Sequence, residues 1–362
     1  MMSMPTPFHA PTRLRTRLQN LLATLAVLTL PVLALPMALA QSTVAPLDLE
    51  TAMTPAEAAS PDVQTAQRDL DAALRERDRV EADPTSLRVA LLDARHAADA
   101  ATEALRNARH AARANAASAF ETVLEAELDV RIAEADLAIR RIEADATRIR
   151  QQAGAATQTD VARAEDAQAS AERDLRDAQD AAELARDRLA VALGQEGDLP
   201  PLAGATDPPV LPSLEATLAR LDENAPLAAA RRAVTRSEAN LDAVNVPFTT
   251  PQTQIDAARD AVANAETRAN DLATSLSLTL QQAYNAVTAA AGRLDGARDA
   301  LTTARDDLQV AQVRFDAGSI AELDVQRADL ALLRAQANET RAVHALAAAL
   351  RSLESTLLGA TP

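Results

Sequence analysis

The sequence predicts an all-α protein, two tandem repeats of long antiparallel coiled-coil helices with no β-strand assigned. Three observations lead there. Residues 85–153 contain neither Gly nor Pro, a run that as one helix at 1.5 Å per residue would reach roughly 100 Å. Apolar residues make up 48% of the chain and charged residues 24%, with aromatics at 1% and only 8 Gly in 362 residues, the balance of long helices rather than of a core built on large rings. The chain also repeats itself at an offset of 164 to 165 residues, as its landmarks show.

Residues 1–40 come first. Arg13, Arg15 and Arg17 precede an apolar run from Leu21 to Leu39 that ends Ala38-Leu39-Ala40, the pattern of an export signal. An uncleaved membrane anchor is the other reading; Pro31 and Pro36 and the small-x-small end favour cleavage. Removal leaves 33 basic residues, all Arg, against 52 acidic ones, a formal charge of −19. That charge repels phosphate backbones, so no nucleic-acid partner is expected. With no Cys there is no disulfide, thiolate metal site or lipid-accepting thiol.

The first repeat, 41–194, opens at Leu49-Glu50 and reaches Pro61; the second, 214–359, opens at Leu214-Glu215 and reaches Pro226 at the same spacing. Each closes on a Leu-Gly pair, Leu193-Gly194 and Leu358-Gly359. Between them 195–213 is a linker, broken by Pro200, Pro201, Pro208, Pro209 and Pro212. Within the first copy a helix from about Pro61 stops at Asp83-Pro84, a long helix follows, and a third runs from beyond Gly154 to Leu193. The second copy repeats the order, with "VPFTTPQ" at 246–252 as its breaker. The first long helix carries an apolar line through Phe120, Leu124, Leu128, Ile132, Ile139, Ile142 and Ile149. The second has Leu294, Leu301, Leu308 and Phe315 seven apart with Ala297, Ala304 and Ala311 between them, coiled-coil spacing. So narrow a stripe needs neighbours along its whole length.

Gly154 and Gly318 sit at matched places. Each follows an Ala and is followed by Asp, Val and Ala: Asp160, Val161 and Ala164, then Asp324, Val325 and Ala328. A Gly after a long helix with a restart signal just beyond it reads as the left-handed turn of a hairpin; a kink in one continuous helix is the alternative. Asp160 and Asp324 read equally as charges on a helix N-terminus.

"RFDAGSIAELDVQRADLALLRAQ", the Arg-aromatic-x-x-Gly element from Arg314 to Ala328, is duplicated upstream without the aromatic that Phe315 supplies. With the "LDLE" opening and the terminal Leu-Gly, it resembles the TolC family of outer-membrane efflux channels over nearly all of 46–359. The resemblance implies a homotrimer whose long helices form a hollow periplasmic cylinder. It implies glycine tips, Gly154 and Gly318 with Arg314 and Phe315, where a periplasmic adaptor of an inner-membrane pump docks. Asp160 and Asp324 would border the aperture, three copies of Asp324 forming an acidic ring. Family members insert a strand pair between the short and long helices of each half; here Asp83-Pro84 and 246–252 are too short for strands of about ten residues, so the barrel is expected to be absent or vestigial, and either the tube ends below the membrane or a separate outer-membrane component completes the channel.

No catalytic constellation is expected. His9 falls in the leader; His96, His110 and His344 are read as isolated helix-surface residues, and the many Asp and Glu beside Arg as solvated faces. No phosphate loop, nucleophile elbow or zinc spacing occurs, and no cofactor or metal is expected. Two readings of function follow: an efflux conduit, or a non-conducting periplasmic coiled-coil scaffold of the same fold. A pump adaptor is disfavoured because no β-rich domain is visible.

Overall fold

The computed structural model describes residues 46–195, 199–203, 209–246 and 249–360; the export segment read at 1–40 lies outside them. Each repeat has the same sequence of helices. In the first, α1 (Leu49–Ala59) leads into α2 (Pro61–Ala82), then the 65-residue α3 (Arg88–Gln152) and α4 (Gln158–Leu193). In the second, α5 (Leu214–Ala219) and a 3-10 turn (Leu221–Glu223) precede α6 (Ala225–Val244), the 65-residue α7 (Gln252–Asp316) and α8 (Glu322–Leu358).

The starts follow local chemistry. Asp48 Oδ1 accepts from the Thr51 N–H at 2.7 Å to cap α1, Ser60 caps α2 with Pro61 in its first turn, and Asn224 caps α6 with Pro226 in the same role. Prolines just inside helix starts cost nothing there, because the N–H they lack has no partner in the helix.

Gly194 and Gly359 end α4 and α8 in the left-handed region, at φ 63° and 69°. A second reason requires glycine: a Cβ at Gly194 would stand 2.5 Å from the Ala59 Cβ, and one at Gly359 2.4 Å from the Pro226 Cδ. The first repeat closes by seating Gly194 against the end of α1, and the second by seating Gly359 against the first turn of α6. The two Leu-Gly pairs of the sequence are these closures.

Two equivalent cores hold the repeats. Ala52, Ala56, Ala116, Phe120, Leu189 and Leu193 pack α1, α3 and α4 together; Leu280, Val287, Leu294, Leu346, Leu353 and Leu357 pack α7 on α8, with Leu218, Leu221 and Tyr284 against them. Phe120 and Tyr284 are 164 apart, so the repeat places its rare aromatics at one level. At this level residues 201–203 of the linker are tied to the first repeat: Leu47 and Leu202 form an isolated parallel bridge, with the Leu47 N–H donating to Pro201 O at 2.9 Å.

The sequence-predicted seams are partly redrawn. Phe120, Leu124 and Ile139 are buried, and so are Leu294 and Leu301, but Ile142, Ile149 and Phe315 are exposed, at 40%, 65% and 43%. Toward the tips α3 buries Leu137, Ala144 and Thr147 instead. A 3.6-residue helix drifts against a strict seven-residue repeat, so the buried line leaves a line drawn straight down the sequence.

Helices α4, α3, α8 and α7 lie side by side in that order, and farther from the tips α2, α3, α6 and α7 do the same. The described helices of the chain therefore form one open layer with long free edges. Among the described residues no helix is long and apolar enough to cross a membrane, and the only β-pairing is the Leu47–Leu202 bridge. The connections α2–α3 and α6–α7 are short, at 83–87 and 245–251.

Candidate functional site

Both hairpin tips are built by the same device with different chemistry. At the first, Gly154 has φ 75°, its N–H donates to Gln151 O at 2.9 Å, and the Ala155 N–H reaches back to Arg150 O at 2.8 Å. The second matches: Gly318 has φ 69°, its N–H donates to Phe315 O at 2.8 Å, and the Ser319 N–H to Arg314 O at 2.9 Å. These bonds satisfy carbonyls that a helix end leaves open, and the positive φ that permits them favours glycine. No atom lies within 4 Å of a Cβ built at either tip glycine, so here, unlike at Gly194 and Gly359, backbone conformation alone selects the residue.

The restarts differ. At α4, Thr157 Oγ1 accepts from the Asp160 N–H at 3.2 Å while Asp160 Oδ2 accepts from the Thr157 N–H at 2.9 Å and from its hydroxyl at 2.7 Å, a complete capping box. At α8 the capping position is Ala321, whose side chain can accept nothing. Only the return half exists there, the Ala321 N–H donating to Asp324 Oδ2 at 3.3 Å. Ser319 compensates at the other helix, its hydroxyl donating to Arg314 O at 2.8 Å. Supplying the missing acceptor with Ala321→Ser should stabilise the second tip by about 0.5–1 kcal/mol, read as slowed amide exchange across 318–325.

Both Asp carboxylates named from the sequence are thus engaged with their own helix starts. The Thr157 N–H, and then its hydroxyl, hold the Asp160 carboxyl below its ordinary value of 3.8. Asp324 also accepts from Arg327 Nη1 at 3.2 Å. Arg314 and Phe315 lie in the last turn of α7, exposed, beside the exposed Val310 and Val313.

The sequence reading missed what joins the hairpins. Arg327, Arg334 and Arg341 recur every seven residues on α8, and Glu143, Asp136 and Asp129 every seven on α3. Running antiparallel, they pair in order: Arg327 with Glu143 at 2.6 Å, Arg334 with Asp136 at 3.3 Å, and Arg341 with Asp129. The ladder continues into more buried ground, with His344 Nδ1 2.7 Å from Glu125 Oε1 and Arg351 2.5 Å from Glu121. His344 is 4% exposed, which corrects its reading as a surface residue, and His110 Nε2 lies 3.0 Å from Ser355 Oγ. The acids and arginines taken for solvated faces are, along this line, the contact between repeats. The signal was present as two matching seven-residue series in different halves of the chain; only the pairing of α3 with α8 identifies them as partners.

Burial alone would raise the Glu143 carboxyl, but hydrogen bonds from Arg327 and Arg140 outweigh it and hold the group below its ordinary 4.5. A lowered folded-state value means the pair's contribution is complete above pH 4.5 and is lost as pH falls through the lower value. Thermal stability should therefore stay level down to about pH 5 and then fall. An Arg327→Gln variant should show a shallower acid limb in the same melts.

Among the described residues no cluster of three or more potential metal ligands occurs. A groove of about 830 Å³ between α3 and α4 is open and lined by mixed charge, including Glu127, Arg131, Glu183 and Arg186.

Residues 248–360, almost all within the second repeat, match the family described as outer membrane efflux protein. The fold as a whole is similar to solved outer-membrane channels. CusC aligns with TM-score 0.61 at 15% identity over 85% of this chain and 91% of its own. The outer-membrane channel OprN gives 0.60 at 16% over 86% and 90%, and VceC from Vibrio cholerae 0.56 at 16% over 86% and 95%. No curated protein matches the sequence. The TolC-like resemblance and the two-repeat helical fold read from the sequence are both borne out.

Proposed function

We propose that this chain is the tube-forming subunit of an efflux system: exported through its 1–40 leader to the periplasm and outer membrane, and trimeric. In this reading 41–194 and 214–359 act as two equivalent walls joined by the 195–213 linker, enclosing a cylinder roughly 100 Å long. Small molecules pass through it after delivery by an inner-membrane pump and its adaptor.

The observation that carries the proposal is the open layer. A sheet of helices about 65 residues long with an unpartnered edge on each side cannot cover its narrow apolar stripes alone. Two unlike edges meeting head to tail close into a ring. The outer membrane efflux protein match over 248–360 supplies the context. The tips carry the adaptor contact: Gly154 and Gly318 shape them, while Arg314 and the 43% exposed Phe315 offer charge and apolar surface. Asp160 and Asp324 border the aperture, their acidity adding to the caps they form and favouring cations over anions there.

Deleting the gene in the source bacterium should raise retention of several dyes and drugs, with recovery on complementation. Unchanged accumulation across chemically diverse compounds would sink the conduit in favour of a periplasmic scaffold. The short connections at 83–87 and 245–251, standing where channel relatives carry membrane strands, favour that second reading and point to a separate outer-membrane component if the tube conducts.

A further inference from the structure

The end of the layer farthest from the tips is built against the habits of the rest of the chain. The two 65-residue helices begin there on Leu87 and Pro251, with no side-chain cap. Among the other α-helices all but α8 begin on a side chain that accepts from an N–H of their own first turn. A polar residue at that position stabilises a helix, so an exposed apolar one in its place marks a position kept for something else. Leu87 is 75% exposed, and Val246, in the other connection, is 45% exposed. The two connections stand at one level, since Arg88 Nη1 and Asp242 Oδ2 lie 3.2 Å apart.

Charge thins out at the same place. Residues 84–92 carry one charged side chain, Arg88, and residues 243–255 carry none, in a chain that is 24% charged. Beside them a groove of about 350 Å³ opens between α3 and α6. Its α3 wall presents Arg88 and Arg95, its α6 wall Glu238 and Asp242, and Leu91 and Leu92 also line it. Arg88 and Arg95 are held only by exposed pairs, with Asp242 and with Glu81 at 2.8 Å, which contribute little and exchange partners readily. Glu238 is exposed and makes no ion pair among the described residues.

We propose that this end rests on a zwitterionic phospholipid surface, with Leu87 and Val246 entering the boundary between headgroups and acyl chains and one headgroup lying in the α3–α6 groove. The phosphate faces Arg88 and Arg95, the amine Glu238 and Asp242. Such a contact lies on the bilayer and does not span it. It goes beyond the conduit reading, and a periplasmic scaffold would use it equally.

Charge selects the partner. The chain beyond residue 40 has a formal charge of −19, which an anionic bilayer repels. A surface carrying both signs does not, and the groove offers both signs on opposite walls, the complement of a phosphate and an amine in one headgroup. Two apolar side chains bind weakly alone, and copies presented side by side add their contacts.

Flotation through a density gradient tests the proposal. The probe is vesicles of phosphatidylethanolamine with phosphatidylcholine, and the protein is the chain from residue 41, which keeps every described helix and leaves out the apolar leader. It should float with these vesicles, and about tenfold less with phosphatidylglycerol vesicles at low salt. Leu87→Glu with Val246→Glu should remove flotation, at unchanged helicity by circular dichroism and unchanged mass by light scattering. Arg88→Gln with Glu238→Gln, which leaves the apolar side chains in place, should lower binding severalfold. Val210→Glu replaces an apolar linker residue that is 92% exposed and should change nothing. A parent that stays at the bottom of the gradient, equal or tighter binding to phosphatidylglycerol, or a Leu87→Glu, Val246→Glu chain that floats like the parent overturns the proposal. An equal loss from Val210→Glu would show general adsorption and overturn it too. Flotation is independent of dye retention on gene deletion, so either reading can fail while the other stands.

Discussion

Arg351→Ala should cost about 3–5 kcal/mol of folding stability, the largest single effect expected outside the apolar cores. Arg351 donates two hydrogen bonds to Glu121, at 2.8 and 2.5 Å. The Glu121 side chain is only 6% exposed. Truncating the arginine leaves a carboxylate without a counter-charge in ground that water reaches poorly, and also removes the aliphatic stem that covers α3. The pair itself adds far less than its rupture costs, because both charges were desolvated to make it. A double replacement by apolar residues of similar size, Glu121→Leu with Arg351→Met, should therefore fall within about 1 kcal/mol of the parent or above it. Urea denaturation of the three proteins decides the point: a double variant as unstable as Arg351→Ala would show that the pair, and not the stranded charge, supplies the stability.

Gly359→Ala is expected to destabilise by about 2–5 kcal/mol, the sum of left-handed backbone strain and a core-like clash, whereas Gly318→Ala should cost only about 1–2 kcal/mol from strain alone. The four left-handed glycines among the described residues have φ between 63° and 75°, so conformation does not distinguish them. Space does: the new methyl would stand 2.4 Å from Pro226 Cδ at Gly359 and meet nothing within 4 Å at Gly318. Melting temperatures of the two variants give the comparison. Equal losses would mean that Pro226 and α6 yield easily, and that the end of each repeat is held less firmly than its geometry indicates. The contrast also separates two purposes of one residue type: glycines that close a repeat against itself, and glycines that turn a hairpin whose tip faces outward.

Much of this was legible beforehand. The breakers at Pro61, Pro84, Gly154, Pro226 and Gly318 act locally, through ring closure or absence of a Cβ, so their effects can be read without knowing what lies nearby. The helix order and the repeat followed from them. Gly154 and Gly318 take the left-handed turns their sequence context predicted, Arg314 and Phe315 lie in the last turn of α7, and Asp160 and Asp324 are the third residues of their helices, bonded back to the capping positions. Less legible were α1 and α5, whose short lengths give periodicity too few turns to register. The outer ends of the seams failed for the opposite reason: Ile142 and Ile149 kept the period longer than α3 kept its partner face.

The roles of the charged residues were beyond the sequence. Arg327, Arg334 and Arg341 look like any solvated helix stripe until α3 is laid beside α8, because an ion pair between residues about 200 apart leaves no local trace. The same holds for His344, read from the sequence as an isolated helix-surface residue, which the neighbouring α3 buries beside Glu125. By itself the sequence determined the helices, their turns and the duplication, since these depend on backbone freedom within a few residues. Only the tertiary structure decided which charged face became a joint and which remained a free edge, because burial and counter-charge are properties of the neighbour and not of the helix that carries the residue.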